Sequence, residues 1–425
     1  MGFEVNPYYL SVLKARLAQH PRKNQVKLET ADFFSTDWQA SISPLKGAIL
    51  VLGNFPWVTS AAQSTIGGSN MPVKSNFLGH GGFDAISGKA NFDISEWMLL
   101  DVLRWFRNRP VDIAMLVKTS VARKVLAHAE RQRDAVRQAY LIGIDAKKSF
   151  GAAVDACLLV MRLGEASHKV DYDYTVFANL ADSVGTRVGH RIGMTVGNLD
   201  AFEKSRQLVG SSPQKWRSGV KHDASGVMEF TQVQNGFLNG FGEIVDLEPE
   251  YLFPLLKGSD IGSAKEWRRK WVLMTQRATG QDTSPIRNRA PRTWAYLEKH
   301  AGQLDGRGSI VYAKSPRFAI FGVGDYAFRP WRIAICGLYK KLRFRLVGPM
   351  DGRPVMFDDT VYYVSFDDES EARDALARVT SPLALDLLSS LVFWDEKRPI
   401  KTGILNVLDW SRAYGEETGQ ALLAY

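Results

Sequence analysis

Short apolar runs alternate with amphipathic segments along the first 165 residues. The run GFEV at 2–5 predicts a strand, and Asn6-Pro7 predicts the start of a helix in which Leu10, Leu13 and Leu17 share one face. Further strands are predicted at 26–34 (with its turn), 47–54, 112–118 and 152–163, and helices at 92–106 and 120–136. Apolar strands that alternate with helices are typical of a parallel sheet covered on both faces, so we expect an α/β domain over 1–165.

The pattern changes from about Gly164 onwards to short runs, scattered aromatic residues and Pro/Gly punctuation. A chain of 425 residues is long enough for two or three domains. We therefore expect residues 166–425 to form a second, mixed α/β domain, with a loop at 279–294.

Positive charge is concentrated in one part of the chain. Between Lys265 and Arg345 there are 18 Lys and Arg against 5 Asp and Glu, so this basic segment carries +13 and the remainder of the chain sums to −4. Such a segment on a neutral to acidic body is typical of nucleic-acid binding, although a solvated basic face is the alternative interpretation. The candidate phosphate-binding residues are Arg268, Arg269, Lys270, Arg287, Arg289, Lys340, Lys341 and Arg343.

Other features exclude several classes of protein. No apolar stretch approaches the roughly 18 residues of a membrane span, and the N-terminal sequence does not resemble a signal peptide. Cys157 and Cys336 lie far apart in apolar surroundings, which favours a reducing compartment and a cytoplasmic location. The seven histidines include no His-Glu-x-x-His pair, so no metal site is expected.

Polar side chains follow three predicted strands where each strand ends. Glu4 ends the first, Asp32 follows the second and Asn54 follows the third. In an open α/β sheet these ends carry the ligand contacts. One carboxylate can accept both ribose hydroxyls of a nucleotide and another can accept from the amine of adenine, although a helix cap is the alternative role for each acid.

The segment Asn54-Phe55-Pro56-Trp57 predicts a specific chemistry. The Asn54 amide oxygen and a backbone carbonyl held rigid by Pro56 can both accept hydrogen bonds from one amino group. Two such acceptors keep the nitrogen lone pair out of ring conjugation and direct it at an electrophile, while Trp57 stacks on the ring. We therefore expect methylation of the amino group of a base flipped out of its duplex.

In this order, the segments resemble the adenine-N6 DNA methyltransferases of bacterial restriction-modification systems. GFEVNPYYLSVLKARL resembles the ribose-binding segment, ETADFF the adenine-binding turn of the cofactor site, and GNFPWVTS the catalytic tetrapeptide, in which Phe55 replaces the usual first proline. The segment whose aromatic residue walls the cofactor is resembled by GKANFDISEWM. The segment whose Phe lies against the flipped base is resembled by KSFGAAVDACLLVMRL. Pieces of the target-recognition domain are resembled by residues 251–261 and 321–347.

The resemblance implies a Rossmann-like sheet that binds S-adenosylmethionine over 1–165, followed by a DNA target-recognition domain. It implies catalytic roles for Asn54, Pro56 and Trp57, base stacking by Trp57 and Phe150, and a possible cognate restriction endonuclease as a partner. The implied cofactor-binding residues are Glu4, Asp32, Phe33 and either Phe92 or Trp97.

One departure from the family concerns the N-terminus. The family's Gly-rich cofactor loop precedes the ribose-binding acid, whereas Glu4 here stands three residues after Met1. We therefore expect an N-terminally incomplete sheet that binds the adenosine end of the cofactor only. A catalytically inactive recognition subunit and an RNA methyltransferase remain as alternative functions.

Overall fold

The computed structural model describes residues 1–58, 93–165, 167–263 and 267–413. The chain divides into two compact units, Met1–Thr195 and Val196–Tyr425. No helix among the described residues is long and apolar enough to cross a membrane.

The first unit contains strands and helices in alternation. Its strands are β1 (Gly2–Glu4), β2 (Leu28–Thr30), β3 (Leu50–Asn54), β4 (Val111–Lys118), β5 (Val136–Ile144), β6 (Ala156–Leu163), β7 (Tyr174–Phe177), β8 (Thr186–Arg191) and β9 (Met194–Val196). Its helices are α1 (Pro7–Leu17), α2 (Trp38–Ile42), α3 (Ile94–Trp105), α4 (Thr119–Gln132) and α5 (Ala146–Phe150). The strands β7 to β9 extend the sheet, so the unit continues about 30 residues beyond the expected boundary at 165.

Strands β1 and β2 form a two-stranded parallel sheet in which Glu4 lies opposite Thr30. The polypeptide enters α1 as the sequence predicts, because the Asn6 side chain accepts a hydrogen bond from the backbone N–H of Tyr8 and Pro7 occupies the first helical position. Of the three leucines on the predicted face, Leu10 is buried and Leu13 is 42% exposed.

A seven-stranded sheet has the order β3-β4-β6-β5-β7-β8-β9. The expected all-parallel arrangement is wrong here: β3 and β4 are parallel, but β6 runs antiparallel to both β4 and β5. The reason is a strand that the pattern did not predict. Helix α4 ends at Arg133, whose left-handed backbone (φ 55°) stops the helix, and β5 begins at Val136 inside the stretch predicted as helical.

The link from β5 to β6 holds only the short helix α5, so β6 returns antiparallel beside its predecessor. Coverage of the sheet is also incomplete at its edge, because Leu50 and Leu52 on β3 are 62% and 72% exposed. Within the described part of the chain, β3 is therefore not covered on both faces, contrary to the expectation.

The second unit is mixed α/β, with a six-stranded sheet (β13-β12-β11-β15-β14-β18) and a four-stranded sheet (β10-β19-β16-β17). Its strands are β10 (Arg217–Ser218), β11 (Glu229–Val233), β12 (Gly236–Leu238), β13 (Ile244–Val245), β14 (Leu252–Leu256), β15 (Lys270–Leu273), β16 (Trp331–Cys336), β17 (Arg345–Val347), β18 (Met356–Phe357) and β19 (Val361–Phe366).

The helices of the second unit are α6 (Leu199–Ser205), α7 (Ser225–Met228), α8 (Gly258–Ser263), α9 (Ile286–Arg289), α10 (Pro291–Lys299), α11 (Ala301–Asp305), α12 (Ile310–Ala313), α13 (Glu369–Val379), α14 (Pro382–Leu391) and α15 (Thr402–Leu405). The loop expected at 279–294 is thus only partly a loop, because α9 lies within it and Pro291 begins α10.

Candidate active site

Strand β3 ends at Asn54, and the backbone then leaves the sheet through Phe55 and Pro56. Asn54 is exposed, and its side-chain amide makes no hydrogen bond within the described part of the chain. Among the described residues, therefore, no donor occupies the side-chain oxygen of Asn54. Pro56 is also exposed, in keeping with a backbone segment that faces a ligand.

The Trp57 side chain is fixed by a hydrogen bond and an aromatic contact. Its indole N–H donates to the carbonyl oxygen of Leu116 on β4 at 3.2 Å, so the ring is tied to the strand beside β3. The Phe150 ring meets it at 5.7 Å between ring centroids, with 86° between the planes. The two candidate stacking residues, 93 positions apart in the sequence, therefore meet at one place, and Phe150 keeps 51% of its surface exposed.

Glu4 and Asp32 lie at the carboxyl ends of the paired strands β1 and β2, where Ala31 N–H donates to the Glu4 carbonyl oxygen at 3.2 Å. Local backbone groups orient both carboxylates. The Glu4 carboxylate accepts from Asn6 N–H at 2.8 Å, and the Asp32 carboxylate accepts from Phe34 N–H at 2.9 Å. Both residues are half-buried, so each combines a local capping role with partial access to solvent.

Phe33 joins the turn after β2 to the end of β3. Its ring contacts Phe55 at 5.4 Å and Trp105 at 5.1 Å between centroids, and Trp97 at 6.3 Å. Phe55, which stands where the family usually has a proline, thus packs edge-to-face on Phe33 in the candidate cofactor turn. Trp97 also lies 5.3 Å from Phe34, which places it beside this turn. The alternative wall residue, Phe92, lies outside the described residues.

Two residues that sequence reasoning missed connect the site to helix α3. Asp93 caps α3 and is 7% exposed, and its carboxylate pairs with the Lys118 ammonium at 2.6 Å. Lys118 is the last residue of β4, and the N–H of Ile94 donates to the carbonyl oxygen of Val58 at 3.0 Å. No local pattern in the sequence could have identified this pair, because Asp93 and Lys118 are 25 positions apart.

The eight candidate phosphate-binding residues lie in three segments of the second unit. Arg268 is held by the buried carboxylate of Asp260 at 3.0 Å, while Arg287 and Arg289 lie exposed on α9. The segment of Lys340, Lys341 and Arg343 surrounds a common cavity. Arg269 and Lys270 stand at the start of β15. Within the described ranges, no group of three His, Cys, Asp or Glu side chains is placed to hold a metal ion.

The chain was compared with protein families, with curated proteins and with solved structures. No family model matches the chain. The chain is 45% identical over 410 residues to the Type II methyltransferase M.NspV of Nostoc sp., a match that covers 96% of this chain and 85% of the relative. Its fold is similar to that of the Type IIL restriction-modification enzyme MmeI in complex with DNA (TM-score 0.53, 14% identity), over 89% of this chain and about half (48%) of that structure. The chain belongs to the Type II methyltransferases.

Proposed function

We propose that this protein transfers a methyl group from S-adenosylmethionine to the N6 amino group of adenine in duplex DNA. It does so as the modification enzyme of a restriction-modification system, in the cytoplasm and alongside a cognate endonuclease. The observation that carries this proposal is the exposed amide of Asn54, which has no hydrogen-bond partner among the described residues, near the perpendicular rings of Trp57 and Phe150. The 45% identity to a Type II methyltransferase supports the reaction class.

The proposed chemistry is positional. The Asn54 amide oxygen and the Pro56 carbonyl accept the two N–H groups of the adenine amine, which keeps the nitrogen lone pair out of the ring. The Trp57 ring stacks on the base, and the Phe150 ring closes its edge. Held in this way, the nitrogen faces the methyl donor without a general base, because the amine proton is lost to solvent after transfer.

S-adenosylmethionine supplies an electrophilic methyl group, and the residues after β1 and β2 fit its adenosine end. We assign Glu4 to the ribose hydroxyls and Asp32 to the adenine amine, since both carboxylates lie at neighbouring parallel strand ends. Phe33 and Trp97 wall the adenine ring, and Phe92 remains a prediction. Parallel pairing occurs in the two-stranded sheet (β1–β2) and between β3 and β4 of the seven-stranded sheet, and it supports a Rossmann-like interpretation of the first unit.

We assign DNA recognition to the second unit and catalysis to the first, with their boundary at Thr195–Val196 rather than at 165. The basic segment supplies phosphate contacts through the eight cations named above. Its net charge of +13 favours an anionic polymer as the partner.

The experiment that tests this proposal offers the protein labelled S-adenosylmethionine with either duplex DNA or RNA. We expect label in DNA only, and none in DNA with the Asn54→Ala variant, which should still bind DNA because Asn54 acts on the amine. Label in RNA would identify an RNA methyltransferase instead. DNA binding without transfer by the wild-type protein would identify an inactive recognition subunit.

A further inference from the structure

A cavity of about 230 Å³ lies in the second unit, outside the candidate active site. This volume is below the roughly 300–1,000 Å³ of sites that hold drug-sized molecules, so the cavity suits a single small group. We call it the hairpin pocket, because residues at and after the end of β16 form most of its wall: Cys336, Tyr339, Lys340, Lys341 and Arg343, together with Gly262 of α8.

Within the described part of the chain, the lining of the hairpin pocket includes three cations and no carboxylate. Among the described residues, neither Lys340, Lys341 nor Arg343 forms an ion pair. Some other cations of the basic segment are paired with carboxylates, as Arg268 is with Asp260 and Arg317 with Asp305, each at 3.0 Å. Uncompensated charge around a concave surface focuses the electrostatic potential and attracts anions.

The walls of the hairpin pocket are held in place by close packing. A Cβ atom at Gly262 would lie 2.5 Å from the Tyr339 ring, so only glycine lets α8 approach the hairpin this closely. Cys336 is 2% exposed and forms the floor, where burial raises the pKa of its thiol.

We propose that the hairpin pocket seats one backbone phosphodiester of the bound DNA. Two lysine ammonium groups and the planar guanidinium of Arg343 line the cavity and can donate hydrogen bonds to the two non-bridging oxygens of a phosphodiester, and no carboxylate among the described lining residues competes for them. Such a contact reads no sequence but fixes the register of the second unit on the duplex. This inference rests on the proposed DNA-methylating function.

The test compares two double variants, each of which removes two cations. Lys341→Gln with Arg343→Gln changes the hairpin pocket, whereas the control Arg317→Gln with Arg373→Gln removes two exposed arginines that pair with Asp305 and Glu369. Binding to a fluorescent duplex is measured between 50 and 200 mM salt. Losing one phosphate contact should reduce the slope of log affinity against log salt by about 1, while the control keeps the wild-type slope.

A neutral methylphosphonate moved along the duplex then locates the contact. One position should weaken wild-type binding and have no further effect on the hairpin-pocket variant, because the same phosphate is already lost. Equal salt slopes for the two double variants, or additive effects at every position, would overturn the inference. If the wild-type protein itself fails to bind duplex DNA, the proposed function fails, and the pocket assignment with it.

Discussion

The Trp57 and Phe150 rings stand perpendicular to one another, 5.7 Å apart between centroids, at the end of the strand that carries Asn54. A flat base laid on the indole would meet the phenyl ring at its edge. Under the proposed function the pair would provide two surfaces of a base pocket, and the hydrogen bond from the Trp57 indole to the Leu116 carbonyl oxygen holds the indole in place.

We predict that Trp57→Ala weakens capture of the flipped base by about 1–3 kcal/mol, the usual contribution of one base–aromatic stack. Trp57→Phe should retain most of this stacking, although it loses the hydrogen bond to β4. The measurement is the fluorescence of 2-aminopurine placed at the target position, which rises when the base leaves the duplex. An unchanged signal in Trp57→Ala would contradict the stacking role.

The ion pair between Lys118 and Asp93 predicts a stability effect. Replacing Lys118 by Met leaves a carboxylate that is 7% exposed without its partner, which costs about 3–5 kcal/mol for a buried pair. The matched control is Arg162→Gln, which removes the exposed pair with Asp112 on the same strand, β4, and should cost less than about 1 kcal/mol. Urea unfolding of the first unit checks both values.

A double variant separates the contribution of charge to stability from that of packing at Lys118. In Lys118→Met with Asp93→Asn the buried charge is removed, so part of the lost stability should return. If Lys118→Met and Arg162→Gln lower the free energy of unfolding equally, the Lys118–Asp93 pair stabilises the fold no more than an exposed ion pair does.

The environment of Glu248 predicts that the stability of the second unit depends on pH. Burial alone would raise the pKa of this carboxyl, but hydrogen bonds from the Thr293 hydroxyl and from the backbone N–H groups of Arg292 and Thr293 outweigh it and lower the pKa from 4.5 to about 2. A lowered pKa stabilises the fold above the unfolded-state value. This stability is therefore present above about pH 4.5 and is lost as the pH falls towards 2.

Thr293→Val removes the hydroxyl that lies 2.6 Å from the Glu248 carboxylate. We expect it to lower stability at pH 7 by about 1–3 kcal/mol, because a buried acceptor loses a donor. We also expect a smaller further loss between pH 4.5 and 2 than in the wild-type protein, measured by thermal unfolding across that range. Identical acid-induced losses in the two proteins would contradict this assignment.

The sequence predicts local features of the site and misses those that arise from tertiary contacts. The cap at Asn6 and the strand end at Asn54 could be predicted because each depends on adjacent residues. Strand β5 was missed because the helical pattern of α4 continues past Arg133, where a left-handed residue stops the helix. The Lys118–Asp93 pair joins residues 25 positions apart, which no local pattern reveals.

The replacement of a proline by Phe55 shows the same limit. From the sequence it is only a departure from the family pattern. In the structure its ring lies 5.4 Å from the Phe33 ring between centroids, so it links the end of β3 to the turn after β2. Aromatic contacts between separate elements depend on the fold, and the hairpin pocket likewise depends on the approach of Gly262 to Tyr339.

The central claim is that Asn54 directs methyl transfer to the amino group of adenine. Its most direct test is mass spectrometry of nucleosides from duplex DNA incubated with S-adenosylmethionine and either the wild-type protein or Asn54→Ala. The account predicts N6-methyladenine with the wild-type protein and no methylated nucleoside with the variant. Methylation of cytosine, or N6-methyladenine of equal yield from both proteins, would contradict it.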